Sequence, residues 1–211
     1  MGIVINKQTN DQCRLGVWKI TEDYHQLLSR LGLDEDDHAT LEGFRNPKRK
    51  LEWLAVRVLL DQLTGQKNKI LYNGNRRPYL LESDYNISIS HSDQYTTVLL
   101  CKDKHVGIDI EKMQDKIEHI AFKFLSEQEL RALDVDQRIY HLYLHWCAKE
   151  ALFKVCDNKQ ISFRKNLFIE PFTPRKEGTL AGRVETADLQ LRLKLYYFSV
   201  ENYPVVWCYK E

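Results

Sequence analysis

The sequence predicts an α+β fold, and three observations lead there. Period-two alternation marks "NISISH", "VGIDIE" and the tail "LQLRLKLYYFSVENYPVVWCYK" as strands. Two long stretches, "PKRKLEWLAVRVLLDQLTG" and the region from about Asp136 to Asp157, carry the 3.6-residue rhythm of helices with one buried face. Strands are joined mostly by short polar turns, which favours antiparallel pairing over a doubly wound parallel sheet. With 211 residues, 43% of them hydrophobic and 11% aromatic, the chain can bury a core as one large domain or two small ones.

The elements follow in order. "LGVWKI" reads as a short strand, after which Thr21 can cap a helix through "EDYHQLLSRLG". The acidic "DEDDH" reads as a solvated surface. Pro47 opens the first long helix, whose apolar face is Leu51, Leu54, Ala55, Val58, Leu59 and Leu63, and Gly65 stops it. "YNGNRRPYLLES" reads as a turn-rich loop, and "NISISH" as a strand ending at Ser90, His91 and Ser92. "YTTVLLC" and "VGIDIE" read as a hairpin joined by "KDKH". "IEHIAFKFL" reads as helical.

Charge excludes some functions. Thirty-one Lys and Arg against 30 Asp and Glu leave the chain near neutral, so bulk attraction to nucleic acid or membrane does not organise it. No apolar run approaches the roughly 20 residues of a membrane span. The opening residues show no basic segment before an apolar core, and Asn6 stands where a myristoylation signal wants Ser or Thr, so a cytoplasmic location is expected. Five cysteines with no C-x-x-C pair argue against a disulfide framework or a structural zinc and favour reduced thiols.

Four groups of residues can carry chemistry. Along "VGIDIE", alternation puts Val106, Ile108 and Ile110 on one side and Gly107, Asp109 and Glu111 on the other. Two carboxylates on one strand face suit either a solvated acidic surface or a hard divalent cation such as Mg²⁺ or Mn²⁺. In the helix holding "WCAKEALFKV", Leu144, Ala148, Ala151, Leu152 and Val155 form a buried stripe, and Glu150 and Lys154 lie off it. Taken alone the pair reads as a surface i, i+4 ion pair, although Trp146 one turn earlier suggests enclosure. Lys48, Arg49 and Lys50 occupy a helical first turn where cations oppose the dipole, reading as a solvated run or as a seat for an anion. His141 and His145 lack a third ligand and read as structural. "NGNRRP" contains no phosphate-cradling glycine motif.

The ordered set "ISISHS", "GIDIE", "FLSEQEL" and "WCAKEALFK", over roughly residues 44 to 163, resembles the 4′-phosphopantetheinyl transferase superfamily. The chain length resembles that of the long, monomeric Sfp-type group. The resemblance implies two similar α/β halves about a pseudo-twofold axis, residues 1–104 and 105–211, with coenzyme A between them. It implies Mg²⁺ (or Mn²⁺) on Asp109, Glu111 and Glu150, and a carrier-protein serine attacking the β-phosphorus of coenzyme A. Glu150 would take the serine proton, and Lys154 would neutralise the departing phosphate. Ser90 and His91 match the coenzyme-contacting "SHS", and Arg77 stands where the family usually has lysine. Lys48 and Arg49 fall where the family supplies cations for the 3′-phosphate, and Asp109 also belongs to the coenzyme site. Glu129 of "FLSEQE" matches a supporting position, with Leu125 in place of an aromatic.

The implied activity is conversion of an apo acyl or peptidyl carrier protein to its holo form, by a cytoplasmic monomer needing neither nucleic acid nor membrane. Two other classes are compatible with the residues. A metal-dependent nuclease shares the acids and lysine, but usually carries its lysine on the strand and needs a basic track. A non-catalytic module for coenzyme A or carrier protein would tend to lose one of Asp109, Glu111, Glu150 and Lys154.

Overall fold

The computed structural model describes residues 2–10, 12–156 and 160–210. The order of elements is β1 (Ile3–Asn10), β2 (Cys13–Lys19), α1 (Tyr24–Leu28), α2 (Glu35–Gly43), α3 (Pro47–Thr64), β3 (Ile70–Tyr72), β4 (Pro78–Leu80), β5 (Asn86–Ser92), β6 (Tyr95–Cys101) and β7 (His105–Ile110). A 3₁₀ turn (Asp115–Ile120) follows, then α4 (Ala121–Phe124), α5 (Glu127–Arg131), α6 (Arg138–Cys156), α7 (Phe163–Asn166), β8 (Leu167–Ile169), β9 (Glu177–Glu185), β10 (Gln190–Val200) and β11 (Tyr203–Lys210). The fold is α+β, with antiparallel sheets and packed helices.

Two sheets form the frame. One has the order β1-β2-β6-β5 and the other β7-β11-β10-β9-β8, with β3 and β4 a separate ribbon. The long helix α3 packs on β2 and β6, and α6 packs on β7 and β11. Each helix closes a core against its own sheet. A third core joins the sheets, where Leu15, Val17 and Leu99 meet Ile108, Ile110 and Val205.

Local chemistry explains most boundaries. Asn46 caps α3 by accepting from the Lys48 amide, Pro47 fills its first position, and Gly65 ends it at φ 76°. Burial on α3 exceeds the expected stripe and takes in Trp53, Val56, Arg57 and Leu60, because α1 covers the helix as well as the sheet. The first cap is Asp23 rather than Thr21, since the Asp23 carboxylate accepts from the Gln26 amide. "DEDDH" enters a helix capped by Asp34. Its other acids face solvent, but Asp37 turns toward Arg57 at 3.8 Å and Lys69 at 3.5 Å.

Five further expectations are corrected. β6 and β7 are not a hairpin, because β6 has β2 on one edge and β5 on the other, and β7 pairs with β11 instead. Cys13 and Cys101 are joined as a disulfide with Cα atoms 4.1 Å apart, against the expectation that all thiols are reduced. The register of β2 on β6 places them opposite each other, a proximity invisible across 88 residues of sequence. The loop after α3 contains the β3–β4 ribbon, whose turn is organised by the Asn73 side chain accepting from the Asn75 and Arg77 amides. "IEHIAFKFL" divides into the 3₁₀ turn and α4, and the second long helix begins at Arg138 rather than Asp136. Its expected end at Asp157 lies outside the described residues.

Gly107 sets how closely α6 approaches β7: a Cβ there would collide with the Ala151 carbonyl oxygen. Replacement by alanine must push strand and helix apart in a close-packed region. G107A is expected to lose about 3 kcal/mol, the upper range for overpacking, as a lowered urea midpoint with an unchanged m-value.

Candidate active site

Side chains alternate along β7 as expected, with Val106, Ile108 and Ile110 turned into the core between the sheets. The opposite side is not a wet surface. Helix α6 lies on it, and Asp109 is only 3% exposed. The option of a solvated acidic face is thereby removed, and a buried carboxylate requires donors.

Strand β5 supplies them from alternate positions. The Ser88 hydroxyl accepts from the Ile108 amide at 3.1 Å, Ser90 donates to Asp109 Oδ1 at 2.7 Å, and Ser92 donates to Glu111 Oε2 at 2.8 Å. Residue numbers rise together on the two strands, so β5 and β7 run side by side in the same direction. Ser92 also accepts from the Lys112 amide at 3.0 Å. Ser90 therefore seats Asp109 as well as lining the neighbouring cavity.

Helix α6 supplies the cation. Lys154 Nζ donates to Asp109 Oδ1 and to the Ile108 carbonyl, each at 2.8 Å. The expected surface pair with Glu150 is thus replaced by a bond across to the strand. Trp146 contributes the enclosure its position suggested, with its indole beside Glu111 and its ring against Phe124 and Phe163.

Crowding of acids is visible in their protonation. Burial first, then the Asp109 charge, raises the Glu111 carboxyl above its ordinary value. Burial and Asp109 push Glu150 up to about 7, with Lys154 opposing. Asp109 Oδ2 is buried without a well-formed hydrogen bond, the Cys147 thiol being its near neighbour. Among the described residues no three His, Cys, Asp or Glu side chains converge closely enough to enclose a metal ion. Carboxylate oxygens are nonetheless the donors a hard cation takes, and one orphaned oxygen with two carboxyls reluctant to ionise would be relieved by it.

A cavity of about 350 Å³ opens from Lys154. Its wall includes Arg49, Glu52, Arg57, Arg76, Arg77 and His91, so cations and a histidine outnumber the single acid. Arg77 also meets His105, its Nη2 lying 3.0 Å from Nδ1. Lys48 does not line the cavity; its ammonium donates to Asp93 Oδ1 at 2.9 Å. Lys112 and Tyr203 donate to the same carboxylate, and with Lys48 they hold Asp93 well below the usual carboxylate range. The basic first turn of α3 is thus partly compensated within the chain.

Reading by sequence missed the role of Lys149, which is fully buried on α6. Its ammonium donates to the Phe124 carbonyl at 2.7 Å, Glu129 Oε2 at 2.8 Å and the Phe163 carbonyl at 3.1 Å. Glu129 also accepts from the Ser126 and Ile169 amides. The supporting place expected for Glu129 has this network as its content. Adjacency to Glu150 was the one available signal, but nothing in the chain's order reveals the partner 20 residues earlier. Ser92 and Glu52 were missed as well; the alternating serines of "SISHS" were the legible sign of the first. His141 and His145 are buried and stacked 5.1 Å apart beneath Phe172, within the core.

Two outcomes follow. Removing one member of a buried pair strands the other charge, so K149M or E129Q is expected to cost about 3–5 kcal/mol, and the double variant less than the sum, read by denaturant unfolding. For Glu150 the folded carboxyl holds its proton more tightly than the unfolded one. Its contribution to stability is therefore complete below about 4.5 and is lost as pH rises through about 7. In buffer free of divalent cations the melting temperature should fall between pH 5 and pH 8 by more in the wild-type protein than in E150Q.

A search of curated proteins finds none that matches the chain. Residues 105–211, half of the chain and including the acids of β7 and all of α6, match the family model described as the 4′-phosphopantetheinyl transferase superfamily. The residues that β7 and α6 bring together therefore lie within that match, and the chain belongs to the 4′-phosphopantetheinyl transferase superfamily.

Proposed function

We propose that the protein transfers the 4′-phosphopantetheine arm of coenzyme A to a serine of an apo acyl or peptidyl carrier protein. One observation carries the reading: Asp109, Glu111, Glu150 and Lys154, from two distant segments, lie near enough to shift the protonation of Glu111 and Glu150, and Lys154 lines a cavity walled by arginines. That arrangement suits a polyphosphate substrate whose charge must be neutralised before a hydroxyl can attack. The helix-on-sheet halves, residues 1–104 and 105–211, are taken as a pseudo-twofold pair of the Sfp type acting as a monomer. No helix among the described residues is long and apolar enough to cross a membrane; cytoplasmic work on carrier proteins is part of the same proposal.

Asp109, Glu111 and Glu150 would hold Mg²⁺ or Mn²⁺, which when bound supplies charge neutralisation to the coenzyme's pyrophosphate. Glu150, with a carboxyl titrating near neutrality, is suited to accept the serine proton, directly or through a water. The serine oxygen then bonds to the β-phosphorus, and the bond from that phosphorus to the bridging oxygen breaks. Adenosine 3′,5′-bisphosphate leaves with the bond's electrons on its 5′-phosphate. Lys154, at the cavity mouth, stabilises that charge. Arg77, Arg49 and His91 orient the phosphates, Ser90 keeps Asp109 aligned, and Lys48 stands just outside the cavity.

Intact-mass spectrometry of an apo carrier protein incubated with coenzyme A and Mg²⁺ tests the reading. A gain of about 340 Da is expected, the mass of the transferred arm. D109A and E150Q should slow it by about a hundredfold or more. Coenzyme A binding without any gain across several carriers would favour the non-catalytic module, and no coenzyme A binding would remove the reading. Mg²⁺ should also raise the melting temperature at pH 8 in the wild-type protein and not in D109A, because the cation replaces the charge relief otherwise supplied by protons.

A further inference from the structure

We propose that Glu52 is a positioning residue for phosphate recognition, holding Arg49 and His91 together as one anion-binding pair. The inference rests on the coenzyme A reading above and names a function for the acid in the cavity wall. Glu52 is 8% exposed, on the first turns of α3. Its Oε2 lies 3.2 Å from Arg49 Nη1 and 3.3 Å from His91 Nδ1. Arg49 Nη1 in turn meets His91 Nε2, so the three side chains close a ring across α3 and β5.

A carboxylate in the wall of an anion cavity repels the ligand unless it does something more useful. Here it offsets two effects that would otherwise spoil the pair. A guanidinium beside an imidazole repels any proton on the ring, and the Arg49 side chain, 39% exposed, is otherwise free to leave for solvent. Lying 3.3 Å from Nδ1, the Glu52 carboxylate also keeps that side of the ring toward α3 while Nε2 faces Arg49. Arg49 and Glu52 are three residues apart on one helix, and His91 reaches them from the neighbouring sheet.

The chemistry of coenzyme A then distributes itself along the cavity. Its pyrophosphate is assigned to Lys154, which bonds Asp109, and its 3′-phosphate monoester to Arg49, both cations lining the cavity. A monoester carries up to two charges and presents three oxygens; the Arg49 N–H groups not turned to His91 and Glu52 can donate to it, with His91 and Glu52 fixing the direction of the guanidinium.

The test is calorimetric titration of coenzyme A and of 3′-dephospho-coenzyme A into the wild-type protein, E52A and E52Q, with steady-state kinetics alongside. E52A should weaken coenzyme A binding about tenfold and raise its KM similarly, with kcat within about twofold. E52Q keeps an acceptor for Arg49 and should fall between. All three proteins should bind the dephospho ligand within about twofold of one another, which also controls for folding. Equal losses for both ligands, or undiminished coenzyme A affinity in E52A, would overturn the role of Glu52. A wild-type protein that binds the two ligands equally would overturn it too, while leaving the coenzyme A reading in place. A wild-type protein that binds neither would overturn both.

Discussion

Asp109 is an acid without access to water, and much of the molecule is arranged to make that tolerable. A carboxylate 3% exposed must be met by hydrogen-bond donors or lose its charge. Ser90 comes from one sheet and Lys154 from the helix that covers the other. Meeting both demands fixes the position of β5 beside β7 and of α6 above it. Gly107, two residues back on the same strand face, removes the side chain that would otherwise hold that helix away. The seam between the sheets and the floor of the site are therefore one structure.

Helix α6 is held by a second buried charge that points elsewhere. Lys149 ties it to α4, α5 and the segment entering β8, through three acceptors and with no exposed surface. Its sequence neighbour Glu150 remains partly exposed among acids. Adjacent residues on a helix point about 100° apart, so one can anchor the rod while the next faces the site. Surface ion pairs contribute about 0–1 kcal/mol, whereas breaking a buried one costs several times more. The rotation of α6, and with it the direction of Glu150 and Lys154, depends on the buried contacts rather than on Glu150 and Lys154 themselves.

Much of this was legible from residue order. The alternation of "VGIDIE" put Asp109 and Glu111 on one face, and the rhythm of α6 separated a buried stripe from Glu150 and Lys154. Asn46, Pro47 and Gly65 delimit α3 by local backbone chemistry alone. The errors have a common origin. "KDKH" looks like a hairpin turn, yet β6 already had neighbours on both edges, one of them from the first 20 residues of the chain. Thr21 and Asp23 are both acceptable caps, and only the fold around them selects Asp23. Cys13 and Cys101 acquire each other through sheet register, which no spacing rule reports.

The sequence by itself determined the periods, the limits of α3 and the chemical types: which faces are apolar, where that helix starts and stops, and that acids, a lysine and arginines stand in a fixed order. These properties depend on neighbours within a few residues, whose contacts are dictated by backbone geometry. Tertiary structure alone decided what each charge faces. Lys154 turned from Glu150 to Asp109, Lys48 turned to Asp93, and Glu52 entered the wall of a cationic cavity. Such pairings are set by desolvation and by which segments the packed sheets bring within about 3 Å, a distance unrelated to separation along the chain.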